Sequence, residues 1–244
     1  MRGNLPVFEF PALRAAGVDV FVTGRRGGVS TGPYDSLNLG THVGDDVAAV
    51  QENRSRVARA IGVSSDRLVF VHQVHGVDVV DARDVNVDTA ADAIYLTEST
   101  LAVAIMVADC VPVVMANPVT RELVVVHAGW RGLAAGVLAA AVATLSGPSS
   151  SWWAGIGPSI SGASYQVGPE VARAFAHIPG AVREDVGDRS LVDLHAVTAF
   201  QLAQCGLESS RIVLSPMHTD GGDTFFSDRH QRPCGRFALV ARWP

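Results

Sequence analysis

Apolar residues fill two stretches of this chain without interruption. Leu101 to Val107 is apolar at every position, and Leu123 to Val126 forms a second such run. Runs of this length without alternation predict strands buried on both faces. Shorter patterns predict further elements. Val18 to Thr23 alternates and reads as a strand, as do Trp152 to Ile156, Arg211 to Leu214 and Phe237 to Trp243. Leu68 to Val80 reads as one strand that carries His72-Gln73-Val74-His75-Gly76 inside it. Helical spacing of Val50, Val57, Ala60 and Ile61 predicts a helix over Val47 to Ile61, with Gly62 as its C-cap. Leu133 to Leu145 reads as a second helix and Gly168 to Ile178 as a third. Asp193 caps a fourth, Leu194 to Gln204, which Gly206 stops.

The segments between these elements are short. Gly24 to Pro33 holds four glycines and is either mobile or tightly turned. Gly157 to Gly162 is a second glycine-rich loop, and Asp223 to Gly235 is a charged connection containing phenylalanine. No internal repeat or linker divides the chain, so a single domain over residues 1–244 is expected.

Composition narrows the function more than the fold. The chain has 244 residues, 48% hydrophobic and 18% charged, with a net charge of −5. The basic residues are scattered, which argues against nucleic acid or a membrane surface as partner. Three cysteines, Cys110, Cys205 and Cys234, are too few and too odd in number for a disulfide framework, and a reducing cytoplasm fits them better. The opening residues lack the apolar segment of a signal peptide, and no run approaches the roughly 20 residues that span a bilayer.

Chemistry collects where the apolar runs end. The first leads to Ala108-Asp109-Cys110, and the second ends on His127, before Ala128-Gly129-Trp130-Arg131-Gly132. A glycine turn leading into a helix offers free N–H groups, and Arg131 adds a donor fork there. His72 and His75, three apart, fall on opposite faces of a regular strand, so at most one reaches the same site as Cys110. Gly76 favours His75. His75, Cys110 and His127 would then suit a zinc site with one open position. Two other readings stay open on the residues alone. Cys110 and His127 are either ordinary core residues or a thiolate–imidazolium pair as in a cysteine hydrolase. Asp109 is either a base or orienting carboxylate, or a turn residue. Asn38, polar between Leu37 and Leu39, either points into a pocket or serves its own turn. Arg26 is either loop charge or a ligand contact.

Four blocks at these residues resemble a known family. They are Gly27-Gly28-Val29-Ser30 with Ser36-Leu37-Asn38-Leu39-Gly40, then Gln73-Val74-His75-Gly76, then Ala108-Asp109-Cys110 with Pro112-Val113, then His127-Ala128-Gly129-Trp130-Arg131-Gly132. The chain is similar in these blocks, and in their order, to the YfiH-type or laccase-domain proteins, once called multicopper polyphenol oxidoreductases. Weaker matches lie at Gly155-Ile156-Gly157-Pro158, Tyr165-Gln166-Val167-Gly168 and Phe225-Phe226-Ser227.

The resemblance implies an α+β single domain layered α/β/β/α with mixed sheets. It implies zinc, rather than copper, on His75, Cys110 and His127, with Asp109 beside them in catalysis. The implied activity is phosphorolysis of adenosine, inosine, guanosine or methylthioadenosine, with adenosine deamination at the same site. Arg131 and Arg26 are the expected phosphate contacts and Asn38 a contact to ribose or base. The expected partners are the nucleoside and phosphate alone, and the expected state is a cytoplasmic monomer. Peptidoglycan-precursor editing by the same Cys/His site, copper-dependent phenol oxidation and a septum-associated binding role are the alternatives. None of the 8 histidines forms a His-x-His pair, which counts against copper oxidation. Ser159, Ser164, His218, Asp228 and His230 depart from the family pattern without touching the three ligands. They weaken any case for extra metal sites.

Overall fold

The computed structural model describes residues 1–220 and 222–244. Three sheets carry the strands, numbered in chain order. The first runs β1 (Val7–Glu9), β2 (Asp19–Thr23), β14 (Phe237–Arg242), β6 (Ala102–Val107), β3 (Leu68–Val69). The second runs β13 (Ile212–Leu214), β9 (Trp153–Ile156), β7 (Val111–Asn117), β8 (Glu122–Ala128), β5 (Ala93–Leu96), β4 (Val79–Asp81). A small third sheet joins β10 (Gln166–Val167), β12 (Ser190–Val192) and β11 (Val182–Glu184). Both large sheets are mixed. The strand β6 is antiparallel to β14 and parallel to β3, and β9 is antiparallel to β7 and parallel to β13.

Side-chain parity explains the layers. Successive residues of a strand face opposite sides. In β6, Val103, Ile105 and Val107 enter the core shared by the two large sheets, where they meet Ile94, Val114 and Val125. Its alternate residues Ala102, Ala104 and Met106 lie in the outer core, with Val57, Ala58 and Ile61. A short helix α1 (Pro11–Ala15) precedes α2 (Val47–Ile61), which supplies those three residues. On the far face of the second sheet, Val113, Met115, Val124 and Val126 pack against α3 (Trp130–Ala135), α4 (Val137–Val142), α5 (Pro169–Phe175) and α6 (Leu194–Gln204). This is the expected α/β/β/α order, with both apolar runs buried on two faces.

The helix α2 spans the predicted residues, with Gly62 at φ 83° as its left-handed C-cap. Asp193 caps α6 by accepting from the Ala196 N–H at 2.9 Å. Two expectations fail. Leu68 to Val80 is not one strand: β3 stops at Val69, and the chain bends through residues 70–78 before β4 begins. Leu133 to Leu145 is not one helix. The helical turn opens earlier, at Trp130, and Gly136 at φ 92° ends α3 and starts α4. Only glycine adopts that conformation without strain, so the break follows from one residue inside an alanine-rich run.

Candidate metal centre

The same parity delivers His127. With Leu123 and Val125 it belongs to the face of β8 turned towards the first sheet, at the end of the strand. Cys110 sits in the turn between β6 and β7, on the edge of that same core. His75 arrives from the bend that replaces the predicted long strand, at φ 60°. One ligand atom from each lies within 4.8 Å of the others. The Sγ of Cys110 is 4.0 Å from His75 Nε2, and the two imidazoles meet edge to face at 4.7 Å between centroids. Gly129 backs the group. A Cβ there would lie 2.9 Å from His75 Cδ2 and 3.1 Å from Cys110 Sγ, so no larger residue fits without displacing the donors.

A carboxylate that sequence reading passed over holds this arrangement. Asp92 is wholly buried, at the start of β5. Its Oδ1 accepts from His127 Nδ1 at 2.7 Å and from the His75 N–H at 3.0 Å. Its Oδ2 accepts from the Gly76 N–H at 2.6 Å and the Val74 N–H at 3.2 Å. A carboxylate only accepts, so Nδ1 of His127 carries the proton and Nε2 is left for a ligand. One side chain therefore sets the tautomer of one imidazole and the backbone path of the other. Gln73 holds the bend from its other side: its amide pairs both ways with Met106, at 2.7 Å to the carbonyl and 2.9 Å from the N–H.

The electrostatics favour an ionised thiol. Burial pushes the Cys110 thiol up, but the imidazoles of His127 and His75 outweigh it and hold the thiol below its usual range. Burial pushes His127 down, and Cys110 and Asp92 together raise it. Burial also acts on Asp92, where the bonds from His127 and Gly76 prevail and keep the carboxyl below the ordinary carboxylate range. Tyr165 stands near enough to feel the thiolate. Burial first, then Cys110, pushes its hydroxyl to about 12.

The cluster opens into a cleft of about 730 Å³. The first sheet has a notch here, because β3 pairs with Ala102 and Val103 and, among the described residues, the later part of β6 has no strand partner on that edge. His72 borders the cleft but lies outside the three-donor group.

The other residues expected at the site separate. Asp109, at φ 87°, is turned away from the histidines. Its Oδ1 accepts from Thr219 Oγ1 at 2.5 Å and Ser227 Oγ at 2.7 Å, and its Oδ2 accepts from the Arg229 N–H at 2.7 Å. Those bonds fasten Asp109 to the segment before β14. Asn38 is wholly buried and fully committed. Its amide donates to the Gly40 carbonyl and Asp45, and its Oδ1 accepts from the Gly40 and Arg236 N–H groups. Both polar atoms of its side chain are thus engaged within the protein. Arg26 pairs with Asp35 and Asp223, both at 3.1 Å, and borders a different pocket. Arg131 is exposed, with its guanidinium 4.4 Å from the Trp130 ring, and does not border the cleft. The loop Gly24 to Pro33 is tightly turned: Asn53 of α2 accepts from the Val29 N–H and donates to Ser30 Oγ. Of the five departures from the family pattern, only Asp228 borders the cleft.

Comparison with known proteins follows this geometry. Residues 19–243 match a family model described as multi-copper polyphenol oxidoreductase laccase. A Mycobacterium tuberculosis protein named purine nucleoside phosphorylase is 41% identical over 225 residues, 89% of each chain. The purine nucleoside phosphorylase YfiH of Escherichia coli K12 is 38% identical over 226 residues, covering 91% of this chain and 92% of its own. Among solved structures, a Neisseria meningitidis protein superposes with a TM-score of 0.90 at 34% identity, covering 98% of this chain and 99% of its own. YlmD of Geobacillus stearothermophilus gives 0.86 at 31% identity, covering 93% and 92%. Among the described residues, no helix is long and apolar enough to cross a membrane.

Proposed function

Since the chain belongs to the family described as multi-copper polyphenol oxidoreductase laccases, we propose that it is a purine nucleoside phosphorylase holding one zinc ion on His75, Cys110 and His127. The observation that carries the reading is the meeting of a thiolate and two imidazoles at a cleft, in a chain 41% identical to a protein named for that activity. The donors suit zinc: three protein ligands, one histidine oriented by a buried carboxylate, and a side open to the cleft. Bound there, zinc supplies a Lewis acid.

In phosphorolysis a phosphate oxygen bonds to C1′ of the ribose as the C1′–N9 bond breaks. The electrons of that bond leave with the purine, which takes up a proton. The chain's own residues serve this by positioning. Asp92 and Gln73 hold the donor loop, and the cleft volume lies within the range of small-molecule sites. We assign adenosine, inosine, guanosine and methylthioadenosine as substrates, with adenosine deamination as a side activity in which water attacks C6 of the purine and the C6 amino group leaves as ammonia. Arg131 lies outside the cleft and is given no contact to substrate, and Asp109 acts only through the segment it fastens.

A thiolate with two imidazoles is also a donor set of mononuclear copper sites, and the family's description names copper. Against several copper ions, the described residues hold one three-donor group.

Elemental analysis combined with product identification from inosine and phosphate tests the reading. We expect about one zinc per chain, retained in His72→Ala and lost in His75→Ala. Copper in the freshly purified protein, or the reverse pattern of loss, overturns the metal assignment. Absence of ribose 1-phosphate from the zinc-loaded protein overturns the activity. Alkylation separates zinc from a cysteine hydrolase: Cys110 should be shielded in the zinc-loaded protein and labelled after chelation, with loss of turnover. Rapid labelling of Cys110 in active, chelator-treated protein favours the hydrolase.

A further inference from the structure

The cleft that receives the metal donors is also lined by His42, His72, Arg54 and Arg236. Arg54 is the least compensated of these. On α2 it takes an inward position of the stripe formed by Val50, Val57, Ala58 and Ile61, where helix packing alone calls for an apolar side chain. Its Nε donates to the Leu39 carbonyl at 2.9 Å, Nη2 approaches Met106 Sδ at 3.6 Å, and the guanidinium covers the Phe70 ring at 4.0 Å. No carboxylate among the described residues pairs with it. Burial pulls its pKa down to about 10, and no neighbouring acid lifts it.

The surroundings are cationic. Burial, then Arg236, His72 and Arg54, depress the His42 imidazole. Two carboxylates border the cleft and both are engaged. Asp228 lies 2.6 Å from Arg232 and 3.4 Å from Arg236, and Asp66 lies 3.7 Å from Arg67. Arg236 is thus partly neutralised, and Arg54 is not.

We propose that Arg54, with His42 and Arg236 beside it, binds inorganic phosphate in this cleft. A guanidinium fork matches two oxygens of a tetrahedral oxyanion and holds its charge at any working pH. The site shares its frame with the metal donors. Met106, which Arg54 touches, is the residue whose backbone Gln73 clamps two positions before His75. The choice of phosphate as occupant rests on the phosphorylase reading, whereas the presence of an oxyanion site does not.

The test has a binding arm and a turnover arm. In the unmutated protein, inorganic phosphate should slow labelling of Arg54 by an arginine-directed dicarbonyl, mapped by mass spectrometry, and leave Arg26 and Arg131 unaffected. Arg54→Met keeps the stem against Phe70 and should weaken phosphate binding roughly ten- to hundredfold, the usual loss for a charge-assisted contact. Arg54→Lys should retain part of the affinity, and the surface control Arg59→Ala all of it. In turnover, Arg54→Met should raise KM for phosphate by a similar factor and leave KM for the nucleoside near its original value. Phosphate protection of Arg131 in place of Arg54, or undiminished phosphate binding by folded Arg54→Met, overturns the proposal, as does protection of Arg54 by adenosine 5′-monophosphate but not by inorganic phosphate. Arg54-dependent phosphate binding without phosphorolysis of any purine nucleoside upholds the site and rejects the phosphorylase reading.

Discussion

Asp92 and Asp109 are buried carboxylates that flank the same three candidate ligands, and they do opposite work. Asp92 gathers an imidazole and three backbone N–H groups, all belonging to His127 or to the loop that carries His75. Asp109 is the immediate neighbour of Cys110, yet it gathers two hydroxyls and an N–H from Thr219, Ser227 and Arg229. Nearness along the chain therefore says little about which acid positions the three donors. The acid 18 positions before the thiol controls both histidines, and the adjacent one ties down a distant segment.

The largest expected effect comes from breaking the first of these. Asp92→Ala strands a buried imidazole and three N–H groups, and should destabilise the fold by about 3–5 kcal/mol. Denaturant unfolding measures it, and a midpoint near that of the parent would show that Asp92 is not the organiser. Asp92→Asn keeps the shape but offers one acceptor oxygen fewer. It should lower zinc affinity by roughly ten- to hundredfold in competition with a chromophoric chelator, the usual cost of losing an orienting partner.

Asp109→Asn sharpens the contrast. It should cost about 1–3 kcal/mol, speed amide exchange around residues 219–229, and leave zinc affinity close to that of the parent. A loss of zinc comparable to that of Asp92→Asn would return Asp109 to the metal site.

The smallest effect is one of pH. Asp220 follows Thr219 in the segment that Asp109 holds, and accepts from Ser161 N–H and Oγ and from Ser164 Oγ. Burial opposes ionisation, but these bonds prevail and lower its pKa from 3.8 to about 2. A carboxyl depressed in the folded state stabilises above its unfolded pKa, and that contribution is lost as pH falls through the folded value. Between about pH 4 and 2, Asp220→Asn should therefore flatten the acid arm of the stability curve. An unchanged acid arm would remove Asp220 from the account.

Which parts were legible beforehand follows from what each residue borders. The strands β6 and β8 announced themselves because both faces are apolar. His75, Cys110 and His127 were visible as ligand types at the ends of such runs. The route of His75 was not: Leu68 to Val80 keeps its apolar character through the bend, since Val71 packs in the inter-sheet core without being in a strand. Asp92 closes the stretch Asp88-Thr89-Ala90-Ala91-Asp92, whose composition is that of an exposed loop, and only Ala91 and Ala93 on either side point to its burial. Asn53 and Arg54 had a clearer signal that went unread. Both occupy the inward stripe of an otherwise amphipathic α2, and a polar residue there must be satisfied by a partner or reserved for a ligand. Asn38 and Asp109 each carried two readings on the residues alone; the side chain of Asn38 bonds partly within its own turn, whereas that of Asp109 reaches Thr219, Ser227 and Arg229 far along the chain, a role that neither reading named.

The position of β14 carries a temporal consequence. Phe237–Arg242 lies between β2 and β6, so the first sheet stays split until those residues have been synthesised and inserted. Two strands made far earlier must wait with open edges, and late, non-local pairing of this kind is slow and prone to aggregation. The donors to Asp109 lie shortly before β14, so the turn bearing Cys110 is braced only once Thr219, Ser227 and Arg229 have been made. On the zinc reading, metal capture should accordingly follow the emergence of these residues. Nascent chains stalled before Thr219 should take up far less zinc than chains stalled with β14 fully emerged, and equal uptake by the two would contradict this order of events.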